Sequence, residues 1–262
     1  MTASPVIARR AGFASDLTAV ASRALRQIPR EPEAIIPALI IPVFFFVVNV
    51  GSLSRVAEQG GVEDFLAFQL PVAIVFAVTG VSRASALVTD ITGGYFDRLL
   101  LTPMKRLPLL LGLMVADFVL VVALSIPVLI LGFAVGVRFE TGIAGILVFL
   151  LLAGLWGLAF TGFPYAIALK TGNPAAVNSS FLLFFPFAFL TTSFLPQEAL
   201  TGWLSAIADY NPVTYLLAAL RSLLTEGWEP GTLLGGVGAI VIVGAVSFTL
   251  ALVALRGRVS RN

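Results

Sequence analysis

Neither cysteine nor histidine occurs anywhere in this 262-residue chain. Without cysteine there is no disulfide framework, no thiolate metal site and no cysteine nucleophile. Without histidine the Ser-His and Cys-His dyads, histidine zinc sites and an axial haem histidine are excluded as well. A zinc metalloprotease or a serine intramembrane protease cannot be built here in its usual form. No GxxxxGK[ST] phosphate loop is present, so the chain has no visible means of hydrolysing ATP. Charge is scarce too, at 11% of residues. No catalytic residue and no metal ligand is assigned.

Apolar residues fill the space that these absences leave, at 58% of the chain and a mean hydropathy of +1.01. Charge-free runs cover 34–54, 65–82, 118–137, 141–169, 171–197 and 230–255. A helix needs about 20 apolar residues to cross the hydrocarbon core of a bilayer, and each run meets or nearly meets that length. Residues 107–116 extend the third run past a single Asp117, and the second can continue past Arg83 toward Asp90. A soluble protein of this composition would have too little polar surface to cover itself. The expectation is an all-α, polytopic membrane protein with six spans, at 33–54, 65–90, 107–137, 141–169, 174–195 and 231–255, forming one domain over 1–262. The first 30 residues hold five arginines and no long apolar core, so no cleavable signal peptide is expected.

The basic residues lie beside the spans, which makes them a topology signal rather than a nucleic-acid footprint. With a cytoplasmic N-terminus, Arg9, Arg10, Arg23, Arg26, Arg30, Arg83, Arg98, Lys105, Arg106, Lys170, Arg256, Arg258 and Arg261 fall inside. Only Arg55, Arg138 and Arg221 fall outside, so 13 of the 16 basic residues share one side. The outer segments carry Glu58, Glu63, Asp64, Glu140, Glu198, Asp209, Glu226 and Glu229. The positive-inside rule then puts both termini in the cytoplasm. Fourteen arginines against two lysines hint at a GC-rich bacterial genome, and hence at a bacterial plasma membrane.

Four features are neither plain span nor plain loop. In 13–28, Phe13, Leu17, Val20, Ala24, Leu25 and Ile28 recur at helical spacing, which reads as an amphipathic helix at the cytoplasmic interface. It serves either as a surface anchor or as a docking element. In 92–106 two glycines end a helix and a short amphipathic stretch runs to Pro103, fitting either a basic loop or a docking helix. In 195–229 two short apolar segments are split by Asn211–Pro212. They are too short to cross and too apolar for a loose loop, so they read as a hairpin dipping into the outer leaflet. Trp203, Tyr210, Tyr215 and Trp228 supply boundary aromatics. Lastly, Asp117 lies roughly 13 Å along its helix from Pro108 at about 1.5 Å per residue. An intramembrane acid is a functional-site candidate, with a structural role, neutral or paired with Arg83, standing beside that of a proton relay.

This order of segments resembles the permease subunit of ABC type-2 exporters, in particular the daunorubicin-resistance branch. The resemblance spans essentially the whole chain. Its specific parts are REPEAIIPALIIPVFF at the first span, GGYFDRLLLTPMKRLPLLLG after the second, and SFLPQEALTGWLSAIADYNPVTYLLAALRSLL before the last. It implies that 92–106 is a cytoplasmic coupling helix, with Tyr95, Phe96, Asp97, Arg98, Leu99, Leu100, Thr102 and Pro103 meeting an ATPase. It implies that 13–28 is the interface helix and that 196–225 is an extracellular re-entrant hairpin marked by Trp203, Tyr210, Asn211 and Pro212. It further implies two copies of a separate ABC ATPase, which binds ATP and Mg, and a second permease, identical or paralogous. This chain itself would bind no cofactor. Membrane lipids are partners and nucleic acid is not. The function implied is ATP-driven export of an amphipathic drug, antibiotic or lipid, with polysaccharide or glycolipid export and ion-coupled secondary transport as alternatives. The first, second and fifth spans would line the path, with Gln69, Thr79, Asn178, Ser179, Ser180, Phe181, Phe184 and Phe185 as candidate contacts. Each polar position among these fits helix–helix bonding as well.

Overall fold

The computed structural model describes residues 12–30, 32–59, 62, 64–79, 81–94 and 106–259. Every regular element among them is helical: α1 (Phe13–Gln27), α2 (Pro32–Gln59), α3 (Phe65–Val78), α4 (Ala84–Thr92), α5 (Arg106–Ala134), α6 (Gly142–Thr171), α7 (Pro174–Ser179), α8 (Phe184–Phe189), α9 (Trp203–Ala208), α10 (Pro212–Thr225) and α11 (Pro230–Val259). Short 3-10 turns follow α1, join α7 to α8 and precede α9. Four stretches are long and apolar enough to cross a membrane: Ile35–Arg55, Leu107–Ala134, Gly142–Thr171 and Pro230–Arg258. They coincide with the expected first, third, fourth and sixth spans.

The second and fifth expected spans are built from shorter pieces. Over 65–90 the chain forms α3 and then α4, with a break at 79–83. At 14 residues α3 is about 21 Å long, short of the roughly 30 Å hydrocarbon core. A Thr-Gly-Val-Ser run supplies the break, since glycine and hydroxyl side chains weaken a helix interior. Over 174–195 the helical path ends at Phe189 and the backbone turns through 190–195. The turn is satisfied by protein. Ser193 Oγ donates to Ala188 O (2.7 Å), Gln69 Nε2 donates to Ser193 O (3.0 Å), and Thr191 and Thr214 share a hydroxyl pair at 2.6 Å. Buried backbone that leaves a helix needs partners of this kind.

Helix α6 is central, packed by α5, α11, α3, α4 and α10. Two close approaches set this geometry. A Cβ at Gly162 of α6 would lie 2.5 Å from the Ser247 carbonyl carbon on α11, and Ser247 Oγ donates to Ala159 O. A Cβ at Gly112 of α5 would lie 2.7 Å from Val20 Cβ on α1. Part of the apolar face expected to anchor α1 on the membrane surface is therefore used against α5, while Phe13 stays exposed. One apolar cluster gathers α3, α6 and α10 around Leu70, Ile74, Phe149, Trp156, Leu216 and Leu220. A second joins α4, the start of α5 and the end of α6 through Leu87, Leu110, Met114, Tyr165 and Leu169.

The hairpin region has α10 buried along Leu216, Leu217, Leu220, Leu223 and Leu224, against α3, α6 and α11. Its C-terminal end is capped from the loop between α5 and α6: Thr141 Oγ1 donates to Leu223 O at 2.7 Å and Glu140 N to Leu224 O at 3.1 Å. Asp64, Arg138, Glu140 and Glu226 gather at that end around a cavity of about 770 Å³. At the far end of α6 Arg258 reaches Leu169 O at 3.4 Å, beside Lys170. Of the expected coupling segment, residues 95–105 lie outside the described residues, and with them Tyr95, Phe96, Asp97, Arg98, Leu99, Leu100, Thr102 and Pro103.

Candidate functional site

A cavity of about 790 Å³ opens where α2, the break at 79–83 and the start of the fifth run meet. Helix α2 contributes Pro37, Ala38, Ile41 and Pro42. Each proline lacks the N–H that would bond the carbonyl four residues earlier, so Pro37 and Pro42 each interrupt the regular bonding of α2 along this stretch. The facing wall comes from the break, with Thr79, Val81, Ser82 and Arg83, and from α4, with Ser85, Ala86 and Thr89. Asn178, Phe181 and Phe76 complete the lining. The lining is an apolar body with hydroxyl, amide and guanidinium groups on one side. The volume lies within the usual range of small-molecule pockets, about 300–1,000 Å³.

The polar wall is held in place by bonds that run behind it. Thr79 Oγ1 donates to Val75 O and accepts from Trp156 Nε1 at 2.9 Å. The backbone N–H of Arg83 donates to Asp117 Oδ1 at 2.8 Å, and Tyr165 Oη donates to Asp117 Oδ2 at 2.7 Å. Asp117 itself is fully buried and does not line the cavity. Arg83 Nη2 donates to Gln27 Oε1 at 3.0 Å, and Arg23 pairs with Asp90 in a two-bond ion pair at 3.0 and 2.9 Å. Helix α1 is thus tied to both ends of α4. Across the cavity Ser85 Oγ donates to Asn178 Oδ1 at 3.0 Å, joining α4 to α7.

From Phe181 an aromatic tract leads away from the cavity. Phe181 meets Phe185 at 5.2 Å, Phe185 stacks on Phe189 at 5.6 Å, and Phe189 meets Phe194 at 5.6 Å. Phe76 touches both Phe184 and Phe189, at 5.3 and 6.1 Å. Such ring pairs favour edge-to-face and offset contacts, and the half-exposed Phe185 and Phe189 form an apolar rail.

Of the eight path residues expected from the sequence, Thr79, Asn178 and Phe181 line the cavity. Phe184 is buried beneath the rail and Phe185 lies on it. Ser179 is exposed and bonded to Ala175 O (2.9 Å), and Ser180 is buried. Gln69 is buried away from the cavity and joins α3 to the 190–195 turn. Sequence reasoning missed Pro37, Ser82, Ser85 and Thr89. The available signals were the helix-weakening Thr-Gly-Val-Ser run and two prolines five residues apart in a span.

At the hairpin, Asn211 does two jobs. Its Oδ1 caps α10 by accepting from Val213 N (3.0 Å), and its Nδ2 donates to Phe187 O (2.8 Å) and Leu190 O (2.6 Å) at the end of α8. Pro212 occupies the first helical position, where its missing N–H costs nothing. Arg221 fastens the same region: its guanidinium stacks 3.5 Å from the centre of the Phe68 ring and donates to Phe68 O, Thr192 Oγ1 and Thr192 O at 3.1, 3.1 and 2.8 Å. Trp203 and Tyr210 are exposed, at 68% and 89%. Among the described residues no three carboxylates converge as metal ligands.

Residues 15–225 match the family described as ABC-2 type transporter. The chain is 28% identical over 218 residues to the daunorubicin resistance ABC transporter permease protein DrrB1 of Streptomyces coeruleorubidus, covering 81% of this chain and 77% of the relative. It is 25% identical over 211 residues to the probable doxorubicin resistance ABC transporter permease protein DrrC of Mycobacterium tuberculosis, covering 79% and 75%. It is 25% identical over 225 residues to the putative transport permease ycf38 of Cyanophora paradoxa, covering 82% and 76%. A polytopic helical chain without a phosphate loop, holding an amphipathic cavity between its spans and matched over most of its length, belongs to the ABC-2 type transporter family as a membrane permease subunit.

Proposed function

We propose that this permease moves a drug-sized amphiphile out of the cytoplasm or inner leaflet, powered by a separate ATPase, and that the 790 Å³ cavity is where the cargo loads. The observation that carries this reading is the cavity's layout, with α2 prolines and phenylalanines facing a polar wall of Thr79, Ser82, Arg83, Ser85 and Asn178. The names of two relatives, with daunorubicin and doxorubicin in them, support a planar amphipathic drug as cargo. The size supports one drug or lipid rather than a polysaccharide chain. The rail from Phe181 to Phe194 is the route outward. In this reading the chain has six spans, the second and fifth made of broken helices, and 196–225 is a re-entrant hairpin on the outside. Both termini are cytoplasmic, which agrees with the acidic end around Asp64 and Glu140 lying opposite Lys170 and Arg258. Two permeases, identical or paralogous, work with two ATPases that hold ATP and Mg, and 95–103 is the coupling contact.

The test is export of daunorubicin from inverted vesicles containing the permease and its partner ATPase. Ser85→Trp and Asn178→Trp fill the cavity and are expected to slow export at least about tenfold, while Leu234→Ala, exposed on α11 and away from both the cavity and the rail, changes it by less than about threefold. Equal effects of all three would remove the cavity from the path.

A further inference from the structure

We propose that Asp117 is a positioning residue for transport: a buried cross-span cap that holds the break in the second span, and so fixes the polar wall of the cavity. This rests on the reading of the cavity as the loading chamber.

A break at membrane depth leaves the first N–H groups of the following helix without intrahelical partners. Here the helix is α4, its N-cap residue is Arg83, and no side-chain cap comes from Arg83 itself. Ser82 Oγ takes the Ala84 N–H at 3.4 Å, and the acceptor for the Arg83 N–H comes from another helix. Asp117 of α5 takes the Arg83 backbone N–H on Oδ1, and its Oδ2 is held by Tyr165 of α6. Three elements therefore meet at one fully buried carboxyl group. The break residues Thr79, Val81, Ser82 and Arg83 all line the cavity, and Asp117 does not. Asp117 thus acts on cargo only through the backbone it holds. The Trp156 bond to Thr79 holds the other end of the same break, so the wall segment is pinned at both ends by α5 and α6.

The link continues toward the cytoplasmic side. Arg83 carries the cap bond through its backbone and a bond to Gln27 of α1 through its side chain. A shift of α1 along α5 is transmitted to the wall by one residue. A proton carrier needs a titrating carboxyl, whereas a cap needs only two hydrogen bonds. Asparagine can supply both: its carbonyl accepts from Arg83 N–H and its amide donates to Tyr165 Oη. This separates the two roles that an intramembrane acid can have.

Because the native chain has no cysteine, single cysteines report local geometry cleanly. Ser82→Cys marks the held wall and Ala38→Cys the facing helix. N-ethylmaleimide labelling is followed in membranes containing the permease–ATPase complex. Asp117→Leu is expected to change the labelling rate at 82 by about fivefold, the population shift that losing one helix cap produces, and at 38 by less than about twofold. Asp117→Asn is expected to keep both rates, and daunorubicin export, within about twofold of the parent. Should Asp117→Leu fail to insert, Asp117→Ala, which removes the same acceptor with less bulk, serves in its place, with the same site-selective change at 82 expected. Unchanged labelling at 82 in the inserted variant, or an Asp117→Asn protein as inactive as Asp117→Leu, overturns the proposal. Labelled Ser82→Cys protein that exports at the unlabelled rate overturns the loading-chamber reading instead, and leaves the cap result standing.

Discussion

Asn211 offers the sharpest energetic test, because one short side chain joins the hairpin to the end of the fifth helical run. Asn211→Ala removes the α10 cap to Val213 and two donated bonds to Phe187 O and Leu190 O. Losing the cap costs about 1 kcal/mol. Each donated bond is worth about 1 kcal/mol, and its carbonyl is left inside a packed region at further expense. The expected loss is therefore about 3 kcal/mol. Asn211→Asp separates the contributions. Aspartate caps a helix as well as asparagine does, but it cannot donate, and it turns a negative oxygen toward two carbonyl oxygens. The Asp variant is expected to be at least as unstable as the Ala variant despite its intact cap. Unfolding by SDS in mixed micelles, followed by tryptophan fluorescence with Trp203 in the hairpin, gives both values. A loss below about 0.5 kcal/mol for Asn211→Ala would show that these bonds do not hold the hairpin. An Asp variant as stable as the parent would show that the cap alone matters.

Gly162→Ala places a methyl group where Ser247 already sits, so α6 and α11 must separate; a loss of about 1–3 kcal/mol is expected in the same unfolding assay. Arg221→Met keeps some of the packing on Phe68 but removes three hydrogen bonds and a cation–π contact; it should expose Thr192→Cys to maleimide, and unchanged labelling contradicts the fastening role. Single cysteines replacing Gly60 and Ser260 should label from outside and from inside respectively, and the reverse pattern would invert the topology. Phe96→Asp with Leu99→Asp would put charges into the proposed ATPase contact, where an unpaired buried charge costs several kcal/mol; cargo-stimulated ATP hydrolysis should fall while membrane insertion survives, and full stimulation would move the ATPase contact elsewhere.

The membrane class, four long spans, the amphipathic α1 and the Asn-Pro break were legible in the sequence because each depends on local quantities. Twenty apolar residues make a helix long enough to cross, and a 3.6-residue apolar period makes an amphipathic one, whatever lies beside them. Asn211 and Pro212 likewise announced a helix start through their own chemistry. What they could not announce was the second job of Asn211, because its two carbonyl partners lie 24 and 21 residues away.

The cavity belongs wholly to the tertiary structure. Asp117 and Arg83 are 34 residues apart, Trp156 and Thr79 are 77 apart, and Ser85 and Asn178 are 93 apart. None of these pairs has a local pattern. A weak run at 79–83 can bend or stay helical on its own propensities, which differ by about 1 kcal/mol or less per residue. Side chains from α5 and α6 decide it by taking the backbone and hydroxyl groups that the break releases. Sequence thus determined that the chain lives in a bilayer and where its four long apolar helices run. Only the packing of distant segments decided that the helical path breaks at 79–83, and so where the cavity lies, because buried polar backbone must be satisfied by whichever neighbour the fold brings to it.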